Sequence, residues 1–226
     1  MAVSLAASGA FAAEGTDNAS NYGGTWTNGS NGGTAGTFNP WDLTNNNNGG
    51  SNFAGYFLGD STLGSGDINT GGLSFAVYAN PSTAFADAIR DFGSALSVGQ
   101  TFSIDIAVNF RNGNKGLSLF DGGTEIFNLN VGGNDYQING TSIGAAYSST
   151  AVFSLALTQT SLTTGTYSVF YSGTSLFYTG GYTGLASGFK LYNSGTDTGD
   201  NANNLYFNNL AIVPEPSSLT LIAGPA

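Results

Sequence analysis

The side chains that perform most enzyme chemistry are missing from this chain, which has no histidine and no cysteine. Thiolate nucleophiles and disulfides are therefore excluded, and the usual general base and commonest metal ligand are absent too. What remains is 14 acidic residues and four cations, Arg90, Arg111, Lys115 and Lys190. A glycosidase needs two carboxylates roughly 5–9 Å apart. Asp105 and Glu125 fall at polar positions of strands expected to be neighbours and form the one candidate pair. Asp87 and Asp91 are four apart with Arg90 between them, on a face expected to be solvated. Surface carboxylates that keep the protein soluble are the simpler account of all of them. A Ser-Lys arrangement would need Lys115 or Lys190 buried beside a serine, and neither context suggests it. The residues thus point to a protein that is not an enzyme.

Metal and sugar chemistry have more material. Asp197, Asp200, Asn201 and Asn203, with Asn204 beside them, form an Asx-rich loop. Calcium takes six to eight oxygen ligands of this kind, so calcium is the one cofactor these residues suggest. Asx residues equally make turns by bonding their own backbone. The run from Asn45 to Asn48 is a weaker version, with Asp42 the nearby charge. Trp26, Trp41, Tyr147, Tyr171, Tyr178 and Tyr182 would supply an aromatic platform for sugar, although aromatics in a sandwich more often fill the core. Asn18, Asn28 and Asn139 each begin an N-x-S/T sequon in an expected turn or loop, where a glycan could be attached.

These residues must be positioned by strands. Residues 101–138 set the pattern: Phe102, Ile104, Ile106, Val108 and Phe110 alternate with Ser103, Asp105 and Asn109. Period two marks a half-buried strand. Asn112-Gly113, Asp121-Gly122-Gly123 and Gly132-Gly133-Asn134 then read as closing the hairpins of an antiparallel meander. Further strands are expected at 53–58, 73–79, 151–157, 166–171, 175–178, 187–192 and 205–213, with edge strands at 24–27 and 37–43. One short helix is expected over Ser82–Phe92, because Phe85, Ala88, Ile89 and Phe92 fit a helical stripe. The fold class is all-β: a single antiparallel β-sandwich of jelly-roll type over residues 15–213. Charged residues make up only 8 % of the chain, against roughly 25 % in typical domains. The net charge of −10 excludes a nucleic-acid partner, which would need a basic stripe.

Both ends carry signals. Residues 1–14, MAVSLAASGAFAAE, read as a signal-peptide remnant with an A-x-A site at Ala10-Phe11-Ala12, or else as an N-terminal assembly strand. Residues 213–226 read VPEPSSLTLIAGPA. The box Pro214-Glu215-Pro216 after a final strand resembles the bacterial PEP-CTERM sorting signal. In that family the box precedes a hydrophobic helix and a basic tail, and an exosortase-type enzyme processes it. The apolar run Leu219–Ala223 is far shorter than the ~20 residues a membrane helix needs, so the tail resembles a truncated form. The body, through Trp26–Gly33, Ala107–Gly116 and Gly188–Asn208, is similar to concanavalin- and laminin-G-like sandwiches. The resemblance implies an exported protein of the cell surface or extracellular matrix, often glycosylated and associated with polysaccharide. The expected role is structural: self-assembly into head-to-tail fibres by strand addition between subunits. The alternative is a lectin-like module that holds extracellular polysaccharide, with a polysaccharide-active enzyme ranked last.

Overall fold

The computed structural model describes residues 14–81, 83–197 and 199–214. Two antiparallel sheets pack face to face, as the alternation predicts; strands are numbered along the chain. The first sheet takes, in spatial order, β13 (Leu176–Thr183), β12 (Thr164–Tyr171), β11 (Ala151–Gln159), β6 (Gln100–Val108), β15 (Leu205–Pro214), β4 (Ser74–Asn80) and β3 (Phe53–Gly59). A short strand, β1 (Gly15–Asp17), pairs with the far half of β15. The second sheet takes β10 (Thr141–Ser142), β9 (Gln137–Ile138), β8 (Thr124–Asn130), β7 (Asn114–Asp121), β14 (Gly188–Ser194), β5 (Phe85–Asp91) and β2 (Asp42–Asn45). Strands distant in sequence sit side by side, β6 against β15 and β14 between β7 and β5, so the core closes only when both chain halves are present.

The inner faces are apolar at period two. Phe102, Ile104, Ile106 and Val108 of β6 meet Leu117 and Leu119 of β7 and Phe189 and Leu191 of β14 in one buried cluster. At one end the rings interlock: Phe75 stacks on Phe207 at 5.2 Å, and Trp41 reaches both Phe207 and Phe189 at 5.7 and 5.8 Å. A second device recurs on the strands. Tyr78, Tyr167, Tyr182 and Tyr192 each stand directly opposite a glycine in register, Gly55, Gly180, Gly165 and Gly116. In every pair a Cβ on the glycine would crowd the tyrosine ring or hydroxyl, so the missing side chain is what lets the tyrosine lie across its neighbour.

Three expectations are corrected. Residues 85–91 form β5, not a helix. The inward set is Ala86, Ala88 and Arg90, and a charge at an inward position hid the alternation. Arg90 is tolerated there because Asp17 neutralises it, with both side chains fully buried. The guanidinium lies between the rings of Phe38 and Trp41, 4.7 Å from each centroid. It also donates to Asn39 O and Asn31 Oδ1, both at 2.7 Å. Next, Asn112-Gly113 closes no hairpin. The chain leaves β6 in the first sheet and enters β7 in the second, and Gly113 (φ 66°) turns that corner. Finally, 24–27 is not a strand, and of 37–43 only the end joins β2, with Phe38 in a lone bridge to Phe92.

The end signals, residues 1–13 and Glu215 and Pro216, lie outside the described residues; Pro214 ends β15. No helix among the described residues is long and apolar enough to cross a membrane, which says nothing about strands.

Candidate functional site

Arg90, Lys115 and Asn193 apart, the inner positions of the second sheet's long strands are apolar, and the other polar residues line up on the outer face. Register gives the rows. Asp87 of β5 stands beside Tyr192 of β14, then Gly116 of β7, Asn130 of β8 and Gln137 of β9. One step along, Ile89 stands beside Lys190, Ser118 and Asn128. From Tyr192 and Lys190 on β14 across to Gln137 on β9, these rows supply the floor of a groove of about 650 Å³. Three strand spacings of about 4.8 Å, from β14 to β9, make the groove floor about 14 Å long, enough for two or three sugar residues.

The floor is held by its own hydrogen bonds. Asn128 Nδ2 donates to the Tyr192 hydroxyl at 3.0 Å and to Ser118 Oγ at 3.2 Å. The Asn128 backbone N–H donates to Asn139 Oδ1 at 2.8 Å, which ties the β9–β10 turn to the groove. Asn130 Nδ2 donates to Asn114 Oδ1 at 2.7 Å. Lys190 Nζ lies 3.4 Å from Asp87 Oδ2 and 5.8 Å from the centre of the Tyr192 ring. Tyr192 rests on Gly116, where a Cβ would come within 2.8 Å of the tyrosine hydroxyl.

Burial pushes the Tyr192 hydroxyl up to about 12, opposed by the Asn128 amide and reinforced by the Glu125 and Asp87 charges. At neutral pH it is an uncharged hydroxyl that both donates and accepts. Burial also raises Asp87, and Lys190 pulls it back. The groove lining holds one carboxylate, Glu125, and one ammonium, Lys190, and Asp87 pairs with that ammonium from beside the groove. The chemistry offered is a strip of amides and hydroxyls with no surplus of positive charge.

The candidates from the sequence are placed differently. Asp105 and Glu125 lie on opposite sheets, because the chain changes sheets between them; Asp105 accepts from Asn209 Nδ2 at 2.9 Å, and only Glu125 reaches the groove. Most of the expected aromatic platform is core: Trp26, Trp41, Tyr171 and Tyr182 are buried. Tyr147 is exposed and bonds Asn109, and Tyr178 packs against the core. The aromatic in the groove, Tyr192, was not among those candidates. It gives no signal of its own, since its neighbours belong to strands that sequence spacing does not pair.

The Asx-rich loop is spent on the protein itself. Asp200 Oδ1 accepts from Ala202 N at 2.8 Å, Asp197 Oδ2 from Asn112 Nδ2 at 3.0 Å, and Asn203 Oδ1 from the same amide. Asn201 opens the short helix that Asp200 caps. The Lys115 ammonium, buried in the fold, takes Asn203 O at 2.9 Å and Asn112 Oδ1 at 3.1 Å. Of the loop's oxygens, the Asn203 carbonyl is the one that meets this lysine. No group of three or more acidic residues converges among the described residues. Of the sequon asparagines, Asn28 and Asn139 are exposed and Asn18 is half-buried; each uses Oδ1 to accept from a backbone N–H.

No protein-family model matches the chain, and no curated protein matches it by sequence. Among solved structures, the alginate lyase AlgAT5 from polysaccharide lyase family 7 matches at TM-score 0.39 and 14 % identity, over 66 % of this chain and 81 % of that one. An alginate lyase from Corynebacterium sp. matches at TM-score 0.40 and 15 % identity, over 80 % and 82 %. The expectation that the chain is not an enzyme is corrected by this finding: both neighbours are enzymes. The absence of histidine excludes one set of mechanisms and leaves the Tyr192 hydroxyl, the Lys190 ammonium and the Glu125 carboxylate of the groove as proton-carrying groups.

Proposed function

We propose that this chain binds a polysaccharide along the groove of the second sheet, and that the polymer is neutral. The observation that carries the reading is the floor itself. Asn128 holds Ser118 in its own row and Tyr192 in the next, where Tyr192 lies in line with Asn130 and Gln137, so amide and hydroxyl groups are fixed in advance at sugar-ring spacing. Fixed donors and acceptors lose little freedom when they meet sugar hydroxyls. Neutrality follows from charge: Lys190 is engaged by Asp87, Glu125 adds a second carboxylate, and the whole chain carries −10. A uronate polymer such as alginate would meet net repulsion. The Pro214-Glu215-Pro216 box supports a place of work outside the cell, where such polymers lie.

Affinity electrophoresis through gels containing glucan, mannan, xylan or alginate tests this. At least one neutral polymer should retard the protein, and Asn128→Ala should weaken retardation about tenfold or more, the worth of one or two charge-free hydrogen bonds. Retardation by alginate alone, abolished by salt, would contradict the reading. The same mixtures are assayed for new reducing ends. Cleavage that is lost in Tyr192→Phe would place catalysis in the same groove.

A further inference from the structure

The opposite face of the sandwich carries a second feature. On the outside of the first sheet, Phe57 of β3 stands in register with Ala76 of β4, Tyr206 of β15, Ala107 of β6 and Val152 of β11. This is an apolar stripe where alternation calls for polar residues. Ile68, from the connection between β3 and β4, packs on Ala76, Ala107 and Tyr206 and closes the middle of the stripe. The end nearest the sheet edge is left open. There Phe53, 48 % exposed, lies with Phe57 and Tyr78 along a depression of about 690 Å³. The Phe57 ring is 6.2 Å from that of Tyr78 and 6.1 Å from that of Tyr206, so the rings form one connected surface. Gly55 makes room for it: a Cβ there would sit 2.9 Å from the Tyr78 hydroxyl.

The far wall of the depression is polar: Asn80, Asp200, Asn201 and Asn204. Asn204 Nδ2 is given to the Tyr206 hydroxyl, and Asp200 Oδ1 to a backbone N–H. The carboxamides of Asn80 and Asn201 make no hydrogen bond to the described residues.

We propose that this depression is a second saccharide-binding site, for one or two neutral pyranose rings. A pyranose has an apolar C–H face and a rim of hydroxyls. Aromatic rings, negative on their faces, suit the first, and uncommitted amides with a carboxylate oxygen suit the second. No cation lines the site, so a uronate or sulfated sugar finds no counter-charge. The two sites lie on opposite sheets, and one domain therefore grips two polymer strands and cross-links them.

The full chain is titrated by calorimetry with neutral hexasaccharides of glucose and of mannose, as wild type, as Phe53→Ser/Phe57→Ser, and as Asn128→Ala/Tyr192→Phe. Phe53→Gln, at an exposed ring, serves as the variant least able to disturb folding. Wild type should bind two hexasaccharides, and each double variant one. Phe53→Gln should weaken the second event about tenfold. If both stripe variants keep two events, or if no hexasaccharide binds, the second site is refuted. If the stripe variants lose an event and the groove variant loses none, the second site stands and the groove reading falls. Stripe variants that change the oligomeric state without changing the titration would assign the face to self-association and overturn the proposal.

Discussion

Replacing Arg90 with methionine should be among the most damaging single changes in the molecule. The guanidinium donates to Asp17, to Asn39 O, to Asn31 Oδ1 and, at 3.4 Å, to Gly32 O, and it lies between two rings. It therefore fastens residues 17–41 to β5. Methionine keeps the aliphatic stem and removes the charge, leaving the Asp17 carboxylate buried with only the Tyr22 hydroxyl, Asn18 N–H and Asn21 amide donating to it. Breaking one side of a buried pair costs about 3–5 kcal/mol. Three surviving donors to Asp17 lower the figure, and the loss of the arginine by Asn39 O, Asn31 Oδ1 and Gly32 O raises it, so about 4 kcal/mol is expected. With a urea m-value of about 2–3 kcal/mol/M, the midpoint should fall by about 1.3–2 M. Adding Asp17→Asn should return part of the loss, since the orphaned charge goes with it. A fall of under about 0.4 M in the single variant would refute the idea that this pair holds the N-terminal region to the sheet.

Lys115 gives a pH signature. Burial brings its ammonium down to about 7, with Asp197 opposing. The unfolded chain keeps the proton to about 10.4, so it binds more protons than the folded chain between the two values, and stability should rise from pH 7 to pH 9.5. Lys115→Met should flatten that slope, and a slope unchanged in the variant would contradict the placement. Gly165→Ala would drive a methyl into the Tyr182 ring and should cost about 1–3 kcal/mol in thermal melts, whereas an unshifted melt would show that the tyrosine does not need the gap. Asp87→Asn frees Lys190 and should give a salt-sensitive retardation by alginate that the wild type lacks; no change would show that the ion pair does not set the charge preference.

Much of the fold was legible because burial writes itself as alternation. β6 and β11 carry an unbroken apolar stripe on their inner faces, and their limits match the expected strands closely. β5 was not legible: its inner face is two alanines and an arginine, and the residue that makes the arginine acceptable lies 73 positions away. The same distance problem hid the site. Asn128, Lys190 and Tyr192 look like ordinary outward polar residues until register sets them side by side. Asp105 and Glu125 were paired because a Gly corner between sheets reads like a hairpin turn. The partners of the Asx-rich loop were hidden in the same way: Asn112, which donates to Asp197 and Asn203, and Lys115, which donates to Asn203 O, lie 85 to 91 positions before the residues they bond.

The side-chain amides of Asn128, Asn130 and Gln137 can be followed directly by ¹⁵N-resolved NMR as a neutral hexasaccharide is added. If polymer lies along the second sheet, these three signals and the Gly116 backbone N–H should shift together, saturate together, and stay still on addition of an alginate fragment. Shifts that leave all four untouched while others move, or movement of these four with the alginate fragment alone, would show that the groove is not where a neutral glycan is held.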